Sequence, residues 1–142
     1  MRLSTINENL AGRFRQASDT NDARRIFEEV FQACLCRMKN VRYDLLENNR
    51  LAILMAAGER PQGFDFCLLS AEMDEKHFDA EEDGRDGEAA EYFALARLMS
   101  ALSFAATATE IAAYAEATYE ALMALPNPKE DSEELLRLRG QP

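Results

Sequence analysis

Apolar residues recur along the chain at intervals of three and four, and sustained two-residue alternation is absent, so the pattern predicts helices and no sheet. Ile6, Leu10, Phe14 and Ala17 line one face of a first helix, for which Ser4 is the expected cap. After "SDTND", where Asp19 to Asp22 offer caps, a second helix carries a broad stripe of Ala23, Ile26, Phe27, Val30, Phe31, Cys34, Leu35 and Met38. A third is expected over 43–57, built on Leu45, Leu46, Ala52, Ile53 and Ala56 and stopped by Gly58 with Pro61 beyond. Phe64, Cys67, Leu68, Ala71 and Phe78 give the expected buried face of a fourth.

From Glu88 to Leu125 the sequence is almost continuously helix-forming, but one helix of that length would span about 57 Å, long for so small a domain. Thr107 and Glu110 fit a capping box, which divides the stretch into helices over 88–105 and 108–125. Ala94, Ala101, Ala105, Ala112 and Ala115 would let two axes approach closely, as in an antiparallel pair at the centre of a bundle. Arg97, Ser100 and Ser103 leave the first of the pair a narrow solvent stripe. "PNPKED" then closes the domain, and Ser132 is the expected cap of a short tail helix before Gly140. The expected architecture is all-α: one domain over 1–125, a bundle of five to six helices with a central antiparallel Ala-rich pair, and a short C-terminal tail over 126–142 with one helical turn or more.

Composition agrees with a packed domain. With 47% hydrophobic and 30% charged residues in 142, the chain can bury one core and is not of disordered type. Its start, "MRLSTINENLAGRF", lacks the apolar run of a secretory signal, and no later stretch offers the apolar length of a membrane span, so a soluble, cytoplasmic protein is expected. Cys34, Cys36 and Cys67 sit in apolar helical contexts and are expected to be buried thiols in a reducing compartment.

Charge changes the picture more than composition does. The formal net charge is −10, and residues 72–91 hold ten acids against Lys76 and Arg85, a local balance of −8. Residues 1–50 carry nine basic and seven acidic residues, a balance of +2. Direct nucleic-acid contact by the acidic part is excluded, because phosphates need clustered Lys and Arg. A basic protein is the natural complement.

Residue patterns for metal or covalent chemistry do not complete themselves. A calcium loop starting at Asp79 would use Asp79, Glu81 and Asp83 with Gly84 at the turn, but Ala90 occupies the position of the bidentate Glu and Asp86 that of the apolar anchor. The single histidine, His77, cannot supply the two helical arms of a di-iron site. Zinc would need Cys34 and Cys36 to converge, yet they point about 200° apart on a helix. A Cys67 and His77 dyad would be separated by about 15 Å along one helix. Glycine-rich phosphate loops and hydrolase signatures are missing. Neither a metal nor a cofactor is expected, nor an enzyme. Phe27, Phe31, Phe93, Phe104, Tyr114 and Tyr119 fall at core-facing intervals.

What remains is the acidic segment "DAEEDGRDGEAAE", read either as a hydrated interhelical loop whose Glu88 and Glu91 favour the next helix, or as a surface for a basic partner. "FQACLCRM" at 31–38, followed after an acidic break by "ALARLMSALSFAATATEIAAYAEATYEALMAL" at 94–125, resembles the helical layout of the bacterial YjaG-like family, whose function is unassigned; the resemblance implies an all-α fold. At the level of class, a small acidic protein without catalytic signatures is similar to immunity proteins that neutralise basic nuclease toxins, and to acidic secretion chaperones. The expectation is therefore an immunity- or antitoxin-like inhibitor that occupies the cationic groove of a toxin domain through Asp74, Glu75, Phe78, Asp79, Glu81, Glu82, Asp83, Asp86 and Glu88. A secretion chaperone or adaptor is the alternative, as is a self-associating scaffold in which the N-terminal half of one copy docks on the acidic segment of another, with a homodimer as its simplest form.

Overall fold

The computed structural model describes residues 1–37 and 65–139. A 3-10 turn, Arg2–Thr5, leads into α1 (Glu8–Arg15) and α2 (Thr20–Arg37); α3 (Phe66–Glu82), α4 (Asp86–Ala106), α5 (Ile111–Leu122) and α6 (Pro128–Arg139) follow. The architecture is an all-α bundle, with six α-helices and no strand among the described residues. The helix expected over 43–57, and Met38 and Phe64, both expected to face the core, lie outside them.

The first helix begins later than its apolar spacing suggests. Asn7, in extended backbone, caps α1 by accepting the Leu10 amide at 3.0 Å, and its Nδ2 donates to the Ser132 hydroxyl at 3.2 Å. Ser4, the expected cap, instead donates to the Met1 carbonyl at 2.7 Å within the 3-10 turn. Asn7 prevails because one buried amide satisfies a helix end and a buried hydroxyl together. Asp19 accepts the Asp22 amide at 2.8 Å and Asp22 accepts the Ser18 amide at 3.2 Å, a reciprocal cap that starts α2 where the sequence places it. The α2 stripe is buried as expected from Ala23 to Cys34, and Phe27 meets Phe31 and Tyr114 with ring centroids 5.6 and 6.4 Å apart.

α5 lies between α2 and α4 and buries Tyr114, Ala115, Ala117, Thr118, Ala121 and Leu122. Small residues make this position possible, since methyl-sized side chains bring backbones together. Arg97 of α4 meets Glu120 of α5 at 3.1 Å, each residue equally far along the chain from the connection, so the pair is antiparallel. The expected capping box does not form. Thr107 ends α4, with its hydroxyl 3.5 Å from the Ser103 and Phe104 carbonyls, and Glu110 takes the N-cap position of α5 without a side-chain bond. Phe104, expected in the core, is 41% exposed.

α3 turns a different face inward from the one its apolar residues suggest. Cys67, Leu68, Ala71 and Phe78 are exposed, while Phe66, Met73 and Ala80 are buried, with Leu69, Ser70 and His77 half-buried on the same side. The reason is polar satisfaction by α4. Ser70 donates to the Ala96 carbonyl at 2.9 Å, and His77 Nδ1 lies 2.8 Å from the Ala89 carbonyl, so Nδ1 carries the proton. These pairs climb one helix as they descend the other, so α3 and α4 form an antiparallel hairpin. Phe66 joins the main core, whereas Met73, Leu95 and Ala96 form a second small cluster with Tyr92 against it. The outer part of the hairpin is thus held by its own packing.

α6 closes the fold. Ser132 is buried in the middle of this helix rather than at its start, accepting from Asn7 and donating to the Lys129 carbonyl at 3.0 Å. Leu135 and Leu136 pack on the main core, and Glu134 pairs with Arg37 at 3.1 Å.

Candidate protein-binding site

Most of the acidic stretch is helix rather than loop. Asp79, Glu81 and Glu82 belong to the last turn of α3, Asp86 and Glu88 to the first turn of α4, and the connection is Asp83, Gly84 and Arg85 alone. Gly84 sits at φ 72, where the Arg85 amide returns to the Ala80 carbonyl at 2.8 Å and the Gly84 amide to Glu81 at 3.1 Å. This is a glycine-terminated helix end, and it rules out the calcium-loop geometry because the would-be ligands Asp79 and Glu81 are wound into α3. Asp74 and Glu75 stand one turn earlier on α3. Every candidate residue is exposed except Glu88, which is half-buried, and Phe78 is 62% exposed among the carboxylates.

The structure sorts these acids into two groups. Asp86 and Glu88 lie at the positive end of α4, where carboxylates are favourable, and Arg85 bridges Glu88 and Asp83, the latter at 3.2 Å. Glu81 approaches His77 Nε2 at 3.3 Å. By contrast Asp74, Glu75, Asp79 and Glu82 form no ion pair among the described residues. Asp79 and Glu82 also occupy the negative end of α3, whose last turn has no basic residue. Asp79 has like charges at Glu75, Glu82 and Asp83, all at helical spacing of three or four. Lys76 is drawn to the Tyr92 ring, 5.8 Å from its centroid.

The N-terminal arginines are arranged in the opposite way. Arg2 reaches Glu116 at 2.6 Å and Glu120 at 3.7 Å, Arg13 reaches Glu29 at 3.6 Å, and Arg15, Arg24, Arg25 and Arg37 pair with Glu8, Glu28, Asp22 and Glu134. The sequence reading missed these pairs because several partners lie far along the chain. The carboxylates around Arg2 raise its already high pKa, first through the Glu116 hydrogen bond, against a smaller lowering by desolvation.

Elsewhere the chemistry is sparse. Cys34 is buried, and desolvation pushes its thiol up to about 12; Cys36 and Cys67 are exposed, against the expectation of three buried thiols. No group of three metal-binding side chains comes together among the described residues. A cavity of about 20 Å³ beside Leu10, Val30, Leu122 and Leu136 has room for a single water. No helix among the described residues is long and apolar enough to cross a membrane. Comparison with known proteins returns no match to a family model, a curated protein or a solved structure.

Proposed function

We propose that the chain is an acidic protein-binding module, most concretely an immunity- or antitoxin-like inhibitor that acts in the cytoplasm by occupying the cationic groove of a basic toxin domain. The observation that carries this reading is the unbalanced charge of α3. Asp74, Glu75, Asp79 and Glu82 surround the exposed Phe78 and form no ion pair among the described residues, Lys76 leaning instead toward the Tyr92 ring, and Asp79 and Glu82 oppose the helix dipole. Each like-charge pair at helical spacing costs roughly 0.2–0.5 kcal/mol in the free protein, and a cationic partner removes that repulsion on binding. Hydration alone would be served equally well by carboxylates interleaved with lysine. The carboxylates stand in for nucleic-acid phosphates, and Phe78 contributes the desolvated contact that long-range charge does not supply.

Self-association through the N-terminal half is disfavoured, because its six described arginines already sit in ion pairs. The test begins with the partner captured from the native host, purified, and mixed with the chain in stopped flow at low and high salt. Reversing Glu75, Asp79 and Glu82 to Lys is expected to slow association by about tenfold or more and to flatten its salt dependence. An unchanged rate and salt response in the triple variant would remove the acidic hairpin from the interface.

A further inference from the structure

The outer face of α3 carries a row of residues at coiled-coil spacing, three of them apolar and two acidic. Leu68, Ala71, Glu75, Phe78 and Glu82 succeed one another at intervals of three, four, three and four, and all five are exposed. Leu68 is 57% and Phe78 62% exposed, and their separation along the axis is about 15 Å. If Leu68 begins a heptad, the positions flanking the seam are Glu72, Asp74, Asp79 and Glu81, every one of them a carboxylate. The side facing α4 uses the other positions of the same heptad, Phe66, Leu69, Ser70, Met73, His77 and Ala80. One face of α3 therefore builds the hairpin, and the other carries the apolar and charged signature of a helix that pairs.

We propose that this seam docks a basic amphipathic helix of the partner, with apolar side chains seated on Leu68, Ala71 and Phe78 and Lys or Arg reaching Glu72, Asp74, Asp79 and Glu81. Charge complementarity selects the occupant. Flanking charges set partner choice in paired helices, and four carboxylates beside the seam demand cations opposite. A second copy of α3 would place carboxylate against carboxylate along its whole length, with Glu75 and Glu82 inside the contact. A partner with Lys or Arg at those two inner positions relieves them as well. The inference rests on the reading of the acidic hairpin as a site for a basic polypeptide, and it adds the shape of the partner's binding segment.

The test uses two synthetic three-heptad peptides of identical Lys, Leu and Ala composition. One carries Leu at the inner positions that meet Leu68, Ala71 and Phe78, Lys at the two that meet Glu75 and Glu82, and Lys on the flanks, and the other has the same residues scrambled out of the heptad. Fluorescence anisotropy at low salt is expected to show the patterned peptide binding at least about tenfold more tightly than its scrambled form, with its helical circular dichroism rising on binding. Phe78→Ser and Leu68→Ser should each weaken the patterned peptide by about tenfold and leave the scrambled one unchanged, since both side chains are exposed and their loss leaves the fold intact. Equal binding of both peptides, insensitive to Phe78→Ser but lost on reversal of Glu75, Asp79 and Glu82, sinks the seam and leaves the acidic reading standing. Absence of binding by either peptide sinks both. Two results on the free chain also overturn the seam: a homodimer that Phe78→Ser dissolves, or shielding of Leu68 and Phe78 from a soluble paramagnetic probe in the monomer.

Discussion

Neutralising Asp79 should make the protein more stable, against the usual direction of a substitution. Asp79 is exposed on the last turn of α3, forms no ion pair among the described residues, and has Glu75, Glu82 and Asp83 as helical neighbours. Three like-charge pairs at roughly 0.2–0.5 kcal/mol each, less one opposite-charge pair of the same size to Lys76 three residues before, leave about 0.4–1 kcal/mol. The negative end of the helix adds roughly 0.3–1 kcal/mol at low salt. Asp and Asn differ little in helix propensity, so Asp79→Asn isolates the charge. The expected gain is about 1–2 kcal/mol in dilute buffer, a rise of about 3–5 °C in Tm per kcal/mol for a chain of this size. The gain should shrink at high salt, where the screening length falls to about 3 Å at 1 M. Urea unfolding at both salt concentrations measures it as a shift in midpoint at constant slope. Asp86→Asn is the internal control. Asp86 lies in the first turn of α4, where the dipole favours it, so its loss should destabilise by roughly 0.3–1 kcal/mol. If Asp79→Asn lowers stability, or raises it equally at high salt, the electrostatic account of α3 is wrong.

Other expectations follow from the buried and turn positions. Asn7→Ala removes the α1 cap and leaves the Ser132 hydroxyl without its donor, so chemical unfolding should show a loss of about 2–3 kcal/mol; Ser132→Ala should cost about 1–2 kcal/mol, and the double variant less than the sum. Gly84→Ala should cost about 1–2 kcal/mol by thermal melt through backbone strain alone, because a Cβ there meets no neighbouring atom while φ is 72. Thiol-reactive dye at neutral pH should label Cys36 and Cys67 rapidly and Cys34 only on unfolding. Since the Cys34 pKa is raised on folding from 9.0 to about 12, its contribution to stability is intact below pH 9 and is lost as pH climbs toward 12, at up to about 1.4 kcal/mol per pH unit. Urea midpoints across that range in wild type and Cys34→Ala, which should lose this slope, provide the check.

The helices were legible because large apolar side chains spaced three and four apart bury on one side of a helix wherever that side lands. α2 is the clearest case, since Ala23 to Cys34 offer a single broad stripe and no competing one. α3 was not legible to the same depth. Both of its faces carry apolar residues, and the inward choice turned on Ser70 and His77 finding carbonyls of α4, partners that local spacing does not reveal. The same limit hid the difference between Asp79 and Glu82, wound into helix, and a solvated loop: glycine and dense charge announce a break but not how few residues it takes.

The order of residues alone determined an all-helical chain with ten carboxylates crowded between positions 72 and 91, because periodicity and charge are properties of neighbours. Tertiary structure decided which of those charges are answered. It brought Arg2 to Glu116 and Arg37 to Glu134 across most of the chain, and it turned Leu68 and Phe78 outward beside the carboxylates. Long-range pairing depends on where helices cross, and that depends on the packing of every helix at once.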